Sequence, residues 1–189
     1  ACASCAMALL ALLAVALPQA ARADGPGSTT APDATAALKT KAQRWLDGQA
    51  PLLSRTNRRI WSYAETSLDE GRSSAELQQL LRAAGFRVEA GVANMPTAFV
   101  ATFGSGRPVI GILAEFDALP GVSQAADGAP APGPNPAAGH ACGHSVFGAG
   151  SAGAALAIAQ LIAAGELRGT VKLYGTPAEE TAIGKVYML

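Results

Sequence analysis

The sequence predicts an α/β fold in which a mostly parallel sheet lies between helices on both faces, giving three layers. Apolar residues follow helical spacing up to about Ala83, and strand-like runs begin near Thr97. Residues 109–113, 146–164 and 170–174 form the order strand, helix, strand, which indicates a βαβ unit with parallel strands. A composition of 50% hydrophobic and 15% charged residues is typical of a globular protein with a core.

The N-terminal residues 1–23 have the pattern of a secretory signal peptide. Residues 7–17 are an uninterrupted apolar run that is too short to span a bilayer, and Ala-Arg-Ala at 21–23 fits a cleavage site. One departure from the signal-peptide pattern is that no Lys or Arg precedes the run. The alternatives are a membrane anchor and mistranslated upstream sequence. We expect an exported protein, periplasmic or secreted, whose mature chain begins with a disordered Gly/Ser/Thr/Pro-rich linker at 24–34.

Three helices are predicted before the first strand. The first covers about residues 34–45, and Pro51 is expected to begin the second because proline favours the first helical turn. A capping box at 73–76 (Ser-Ser-Ala-Glu) predicts a third helix over 75–83, which Gly85 ends.

Two strands and a long loop follow. Alternation over 97–103 predicts a strand that ends in a hairpin-like turn at 104–106. The continuous apolar run 109–113 predicts a strand buried on both faces. Residues 118–139 contain five Pro and four Gly, which excludes a helix or a central strand. A loop of this length inside a domain is usually functional.

The next helix is expected to begin with Ser145 as its cap and to run to about Ala164. Its glycines indicate close packing against a sheet, because glycine otherwise costs helix stability. A transmembrane helix is the alternative, since residues 146–165 carry no charge. The Gly-x-Gly-x-x-Gly pattern at 148–153 lies inside the helix, so it is only a weak dinucleotide-binding signal.

The βαβ topology brings polar residues to the sheet edge at the carboxyl ends of the strands, where open α/β sheets build their sites. These residues are Glu115, Asp117, His140, Cys142, His144, Glu179 and Glu180. Both histidines of the chain are among them, and the only other cysteines, Cys2 and Cys5, precede the predicted cleavage site. Formal net charge is zero, which gives no electrostatic argument for a nucleic-acid partner.

These residue types suit a metal site. Cys142 and His144 are two apart in a loop, so both can turn toward one ion, and thiolate with imidazole and carboxylate favours a metal such as zinc. One carboxylate of the pair Glu179 and Glu180 could bind metal while the other acts as the general base. Other interpretations are a buried apolar Cys142, a Cys142 nucleophile with His144 as its base, a solvated glutamate pair, and an Asp117 that only accepts backbone hydrogen bonds.

Three motifs in order carry a family resemblance. They are Ala114-Glu115-Phe116-Asp117-Ala118-Leu119-Pro120-Gly121, Gly139-His140-Ala141-Cys142-Gly143-His144 and Gly175-Thr176-Pro177-Ala178-Glu179-Glu180. The chain resembles the metal-dependent aminoacylase/carboxypeptidase superfamily, in the branch of amidohydrolases related to p-aminobenzoyl-glutamate hydrolase.

The resemblance implies a metallo-aminopeptidase-like catalytic domain with two divalent metal ions, Zn or Mn. By motif position, Cys142, His144 and Glu180 would bind metal, and Glu179 would be the general base toward a metal-activated water. Asp117 would orient a ligand without binding metal. The substrates would be N-acyl- or aminobenzoyl-amino acids or small peptides, and the full-length protein would be a homodimer that contacts no membrane after signal removal.

Members of this family are longer and carry further metal ligands after the glutamate pair. Residues 35–189 are therefore expected to be the N-terminal part of a catalytic domain, without the lid domain and the C-terminal half. Alone, they would bind metal weakly and have little activity. Two other functions stay open, a non-catalytic metal-binding remnant and a cysteine hydrolase that uses Cys142.

Overall fold

The structure, a computed structural model, describes residues 30–129 and 131–189. The predicted signal peptide and the first part of the predicted linker lie outside the described residues. In chain order the elements are α1 (Thr30–Tyr63), α2 (Gly71–Ala83), β1 (Arg87–Ala90), β2 (Phe99–Ser105), β3 (Val109–Ala114), β4 (Leu119–Pro120), β5 (Ala138–Gly139), α3 (His144–Ala163), β6 (Gly169–Gly175) and α4 (Gly184–Met188).

α1 is one long helix where the sequence predicts two. It runs through Pro51, and it includes residues 30–34, which the sequence assigns to the linker. Tertiary packing explains the difference. The side chains of Leu46 and Leu53 lie on either side of Pro51, and both come within 3.5 Å of the position that a Cβ on Gly153 of α3 would take. Contact with α3 therefore spans the proline and compensates for the backbone hydrogen bond that proline cannot donate.

α2 begins one turn earlier than predicted, because Glu65 rather than a capping box satisfies its first amides. The Glu65 carboxylate accepts hydrogen bonds from two N–H groups of the first turn, the shorter at 2.8 Å from Ser73. Ser74 lies inside the helix and donates its hydroxyl to the carbonyl of Thr97 at 2.7 Å. The capping-box prediction is wrong, whereas the helix end at Gly85, with φ +86°, is confirmed.

The main sheet has four strands in the order β1-β2-β6-β3. β3 and β6 are parallel and are joined through α3, which confirms the βαβ unit. β2 pairs antiparallel with both β1 and β6, so the sheet is mixed rather than mostly parallel. The predicted hairpin is also wrong, because β6 lies between β2 and β3.

The hydrophobic core lies on one face of this sheet, under α1, α2 and α3. It contains buried side chains from the sheet and from all three helices, namely Phe99, Ala101, Ala114, Val171, Leu173, Ile60, Leu77, Leu81, Ala152, Ala155 and Leu156. Within residues 30–129 and 131–189 no long helix covers the opposite face, so the predicted second helical layer is not present in this part of the chain.

β3 is the edge strand of the described sheet, which contradicts the prediction of a strand buried on both faces. Val109, Ile110 and Leu113 have relative exposures of 52%, 51% and 46%. A continuous apolar run is typical of a fully buried strand, but the run alone does not specify what covers it.

α3 carries the site at its N-terminus. Gly143 caps it in the left-handed conformation at φ +85°, and Ser145 lies in the first turn without a capping hydrogen bond, so the predicted cap is wrong. A Cβ on Gly148 would lie 2.7 Å from the carbonyl oxygen of Glu115, which confirms close packing at the end of β3. Gly153 instead packs against α1.

α3 also has the length and hydropathy of a membrane span, with 56% of its most apolar window buried in the fold. The core helix of a soluble protein has the same properties, so this finding does not favour the transmembrane alternative.

Candidate metal centre

The carboxyl ends of β3 and β6 and the N-terminus of α3 meet at one edge of the sheet. The parallel pairing continues past β6, because the Thr176 N–H donates to the carbonyl of Ala114 at 2.8 Å. Six of the seven residues predicted at this edge converge there, namely Glu115, Asp117, Cys142, His144, Glu179 and Glu180.

His140 is the exception. Its ring is buried and its Nε2 lies 3.1 Å from the carbonyl of Ile60 in α1, away from the cluster. Burial lowers the pKa of His140, and its Nδ1 has no hydrogen-bond partner.

His144 is the centre of the cluster. Its Nδ1 lies 3.0 Å from Asp117 Oδ1 and 3.7 Å from Glu180 Oε1. Its Nε2 lies 3.1 Å from Glu115 Oε2 and 3.6 Å from Glu179 Oε2. The hydrogen bond to Asp117 raises the pKa of His144 against the opposing effect of burial.

Asp117 links the His144 ring to the segment that follows β6. Its Oδ1 pairs with His144, and its Oδ2 accepts hydrogen bonds from the Glu180 N–H at 2.9 Å and from the Ser67 hydroxyl at 3.2 Å. Burial alone would raise the pKa of Asp117, but the bonds from His144 and Glu180 outweigh it and lower the pKa. Asp117 is therefore an ionised, buried carboxylate whose position agrees with the orienting role that the motif implies.

Cys142 faces this cluster from the loop before α3. Its side chain is exposed, so the interpretation as a buried apolar residue is wrong. A hydrogen bond with Glu180 and the surrounding carboxylates raise the pKa of the thiol. A cysteine nucleophile needs the opposite shift, and both ring nitrogens of His144 face carboxylates, so the geometry does not favour a cysteine hydrolase.

The donor set fits a divalent metal ion. One ligand atom from each of Cys142, His144 and Glu180 lies within 4.8 Å of the others, and Glu115, His144 and Glu179 form a second such group. Glu180 Oε1 is buried without a hydrogen-bond partner. Four carboxylates surround one imidazole, so a divalent cation among them would offset their mutual repulsion, and thiolate with imidazole and carboxylate is a ligand set of zinc-like metals.

Two residues of this region received no role from the sequence. Glu115 shares its carboxylate between His144 and the ammonium group of Lys185 in α4. Glu70 is fully buried and accepts a hydrogen bond from the Ala178 N–H, next to the glutamate pair. An acidic residue before a helix is a common cap signal, so nothing in the sequence distinguishes Glu70 as buried.

An open cleft of about 710 Å³ adjoins these donors. Cys142 and His144 line it together with the apolar side chains of Ile112, Val146 and Phe147. The site therefore combines metal-type ligands with an apolar surface beside them.

Known proteins resemble this chain in sequence and in fold. One component of the p-aminobenzoyl-glutamate hydrolase of Escherichia coli (strain K12) is 42% identical over 134 residues, 69% of this chain and 27% of that protein. The Xaa-Arg dipeptidase of Mus musculus is 30% identical over 185 residues, 91% of this chain and 39% of that protein. The chain thus spans less than half the length of either.

A solved structure confirms the α/β class. The Bacillus subtilis YXEP protein, described as a dinuclear metal binding peptidase from the M20 family, aligns with a TM-score of 0.65 and 29% identity. The alignment covers 75% of this chain and 38% of that one. Residues 111–189, which carry all three motifs, match the model of peptidase family M20/M25/M40, and this part of the chain belongs to that family.

Proposed function

We propose that this chain provides the metal-binding edge of an exported hydrolase that cleaves the amide bond of N-acyl- or aminobenzoyl-amino acids or small peptides. The observation that supports it most is the convergence of Cys142, His144 and Glu180 within 4.8 Å of one another, with Glu179 alongside. The names of the relatives, an aminobenzoyl-glutamate hydrolase and a dipeptidase, agree with this substrate class.

Cys142, His144 and Glu180 would hold metal, and the site would take two divalent ions, Zn or Mn. When bound, the ions supply Lewis-acid activation of water and of the scissile carbonyl. Glu179 would be the general base, because its carboxylate is 37% exposed and can reach a water molecule, whereas the Glu180 carboxylate is 15% exposed. Glu179 would take a proton from the attacking water and return it to the leaving amine. Asp117 would hold the His144 ring and the Glu180 backbone in place.

The apolar cleft beside the donors suits an acyl or aminobenzoyl group. The remaining parts of the proposal are a signal peptide at 1–23, an exported location, a homodimer, and no nucleic-acid or membrane partner after signal removal. Residues 35–189 would be part of the catalytic domain. The 189-residue chain alone would bind metal weakly and be nearly inactive, because Cys142, His144 and the carboxylates beside them cannot complete a site for two ions.

The test is metal depletion and reconstitution of the full-length gene product, with release of p-aminobenzoate from p-aminobenzoyl-glutamate as the readout. Hydrolysis should disappear with chelator and return with Zn²⁺ or Mn²⁺. Glu179→Gln should keep the metal but lose about 10²–10⁴-fold in kcat, as expected for a lost general base.

Two results would overturn the proposal. Metal binding without hydrolysis of p-aminobenzoyl-glutamate or any acyl-amino acid would indicate the non-catalytic metal-binding protein. Hydrolysis that survives chelation would exclude the metal-dependent mechanism. Robust metal-dependent hydrolysis by the 189-residue chain alone would contradict the predicted inactivity.

A further inference from the structure

Glu70 is a buried carboxylate that three separate segments of the chain share. It is 0% exposed and lies at the N-terminus of α2. Its Oε1 accepts hydrogen bonds from the N–H groups of Leu68 and Ala178, each at 2.9 Å, and its Oε2 accepts the Thr97 hydroxyl at 2.9 Å.

Both residues that donate to Oε1 have a backbone conformation that is uncommon for residues other than glycine. Leu68 has φ +65° and Ala178 has φ +58°. Such conformations cost free energy and persist only where the surrounding structure fixes them. One Glu70 oxygen therefore fixes two strained turns that are far apart in sequence.

Ala178 immediately precedes Glu179 and Glu180. The Ala178 N–H donates to Glu70, and the Glu180 N–H donates to Asp117 at 2.9 Å. The backbone on both sides of Glu179 is thus held by buried carboxylates from other elements. Loss of the Glu70 bond would free the turn that aims both glutamate side chains at His144.

We propose that Glu70, supported by the Thr97 hydroxyl, is a positioning residue that sets the direction of the Glu179 and Glu180 carboxylates. This inference rests on the proposed function, since it assigns Glu70 to the same site. In this role Glu70 acts only through the backbone at Ala178 and not by contact with substrate or metal.

The chemistry of the three bonds identifies the conservative substitution. In Glu70→Gln, the amide oxygen can still accept the Leu68 and Ala178 N–H groups, and the amide nitrogen can donate to the Thr97 oxygen. Glu70→Ala leaves all three donors buried without an acceptor. If Glu70 is a positioning residue, Glu70→Gln should therefore retain the Mn²⁺ affinity and the kcat that Glu70→Ala loses.

The experiment measures the dissociation constant of Mn²⁺ by titration calorimetry and kcat and KM for p-aminobenzoyl-glutamate, both on the full-length gene product. Glu70→Ala should weaken Mn²⁺ binding by about tenfold or more and lower kcat with little change in KM, as for other residues that orient metal ligands. Glu70→Gln should retain most of the Mn²⁺ affinity and most of kcat. Thr97→Val, which removes only the hydroxyl, should show a smaller loss in the same direction.

Leu81→Ala is the matched control, because it creates a cavity in the core beneath the same helix. It should lower the melting temperature while leaving the Mn²⁺ affinity of the folded protein unchanged. If Leu81→Ala weakens Mn²⁺ binding as much as Glu70→Ala, or if Thr97→Val and Glu70→Ala leave affinity and kcat unchanged, the positioning role is wrong.

His144→Ala separates this inference from the proposed function. Loss of Mn²⁺ binding in His144→Ala with no effect in Glu70→Ala overturns only the role of Glu70. Unchanged Mn²⁺ binding in His144→Ala overturns the metal site itself.

Discussion

Substitution of Gly148 by alanine tests how closely α3 approaches the end of β3. A Cβ at this position would lie 2.7 Å from the carbonyl oxygen of Glu115 and 3.3 Å from Leu77 Cδ1. The carbonyl belongs to the backbone, so relief requires movement of the helix or of the segment that carries Glu115. Overpacking of this kind costs about 1–3 kcal/mol.

Gly150→Ala is the matched control in the same helix. A Cβ on Gly150 would meet nothing within 4 Å in the described residues. Both variants gain about 1 kcal/mol of helix propensity, so their difference isolates the steric cost at Gly148. We expect Gly150→Ala to be more stable than Gly148→Ala by about 1–3 kcal/mol. Gly153→Ala should lie between them, because its nearest neighbour at 2.8 Å is the end of the Leu53 side chain, which can rotate.

The assay is equilibrium unfolding in urea, monitored by circular dichroism. The urea midpoints of the variants are compared where the m-values, the slopes of unfolding free energy against urea concentration, are equal. If Gly148→Ala is as stable as Gly150→Ala, α3 does not contact the end of β3 as described. The placement of His144 relative to Glu115 would then be wrong as well.

Three further predictions concern the site and its surroundings. Asp117→Asn should weaken Mn²⁺ binding by about 10–100-fold in titration calorimetry, because the amide cannot replace both carboxylate oxygens, and an unchanged affinity would contradict the orienting role. Burial raises the pKa of Glu70 above its ordinary value of 4.5. The unsubstituted protein should therefore have its largest free energy of unfolding, relative to Glu70→Gln, below about pH 4.5, and this difference should shrink as pH rises through the pKa of Glu70 in the folded protein. Urea unfolding of the chelator-treated proteins across this pH range measures the difference, and a difference independent of pH would refute it. Bound metal should protect the exposed Cys142 thiol from alkylation, and activity that resists chelators but not alkylation would favour a cysteine hydrolase.

The βαβ unit and the edge that it forms could be predicted because their signals are local. The two apolar runs that become β3 and β6 are separated by one helix, and this order predicts a parallel pair of strands. The residues directly after each strand must then lie at the same edge of the sheet. The convergence of Glu115, Asp117, His144 and the glutamate pair follows from that topology.

The errors arise where contacts distant in sequence outweigh a local signal. Pro51 predicts a helix start, but packing of α1 on α3 carries the helix through it. Ser73 resembles a helix cap, but the Glu65 carboxylate takes that role. The exposure of β3 depends on strand order, which the apolar run does not encode.

The same reason explains why Glu70 could not be found from the sequence. Two of its three donors, Thr97 and Ala178, lie 27 and 108 residues away from it in the sequence. No periodicity or motif spacing connects Glu70 with Ala178 before the fold is known.

Replacement of the native ion by Co²⁺ in the full-length gene product tests the central claim most directly. Co²⁺ bound through the Cys142 sulfur should show a thiolate-to-metal charge-transfer band in the near-ultraviolet spectrum. The band should disappear in Cys142→Ser and weaken in His144→Ala. Co²⁺ bound without this band, or a band that survives Cys142→Ser, would show that the metal does not lie among Cys142, His144 and Glu180.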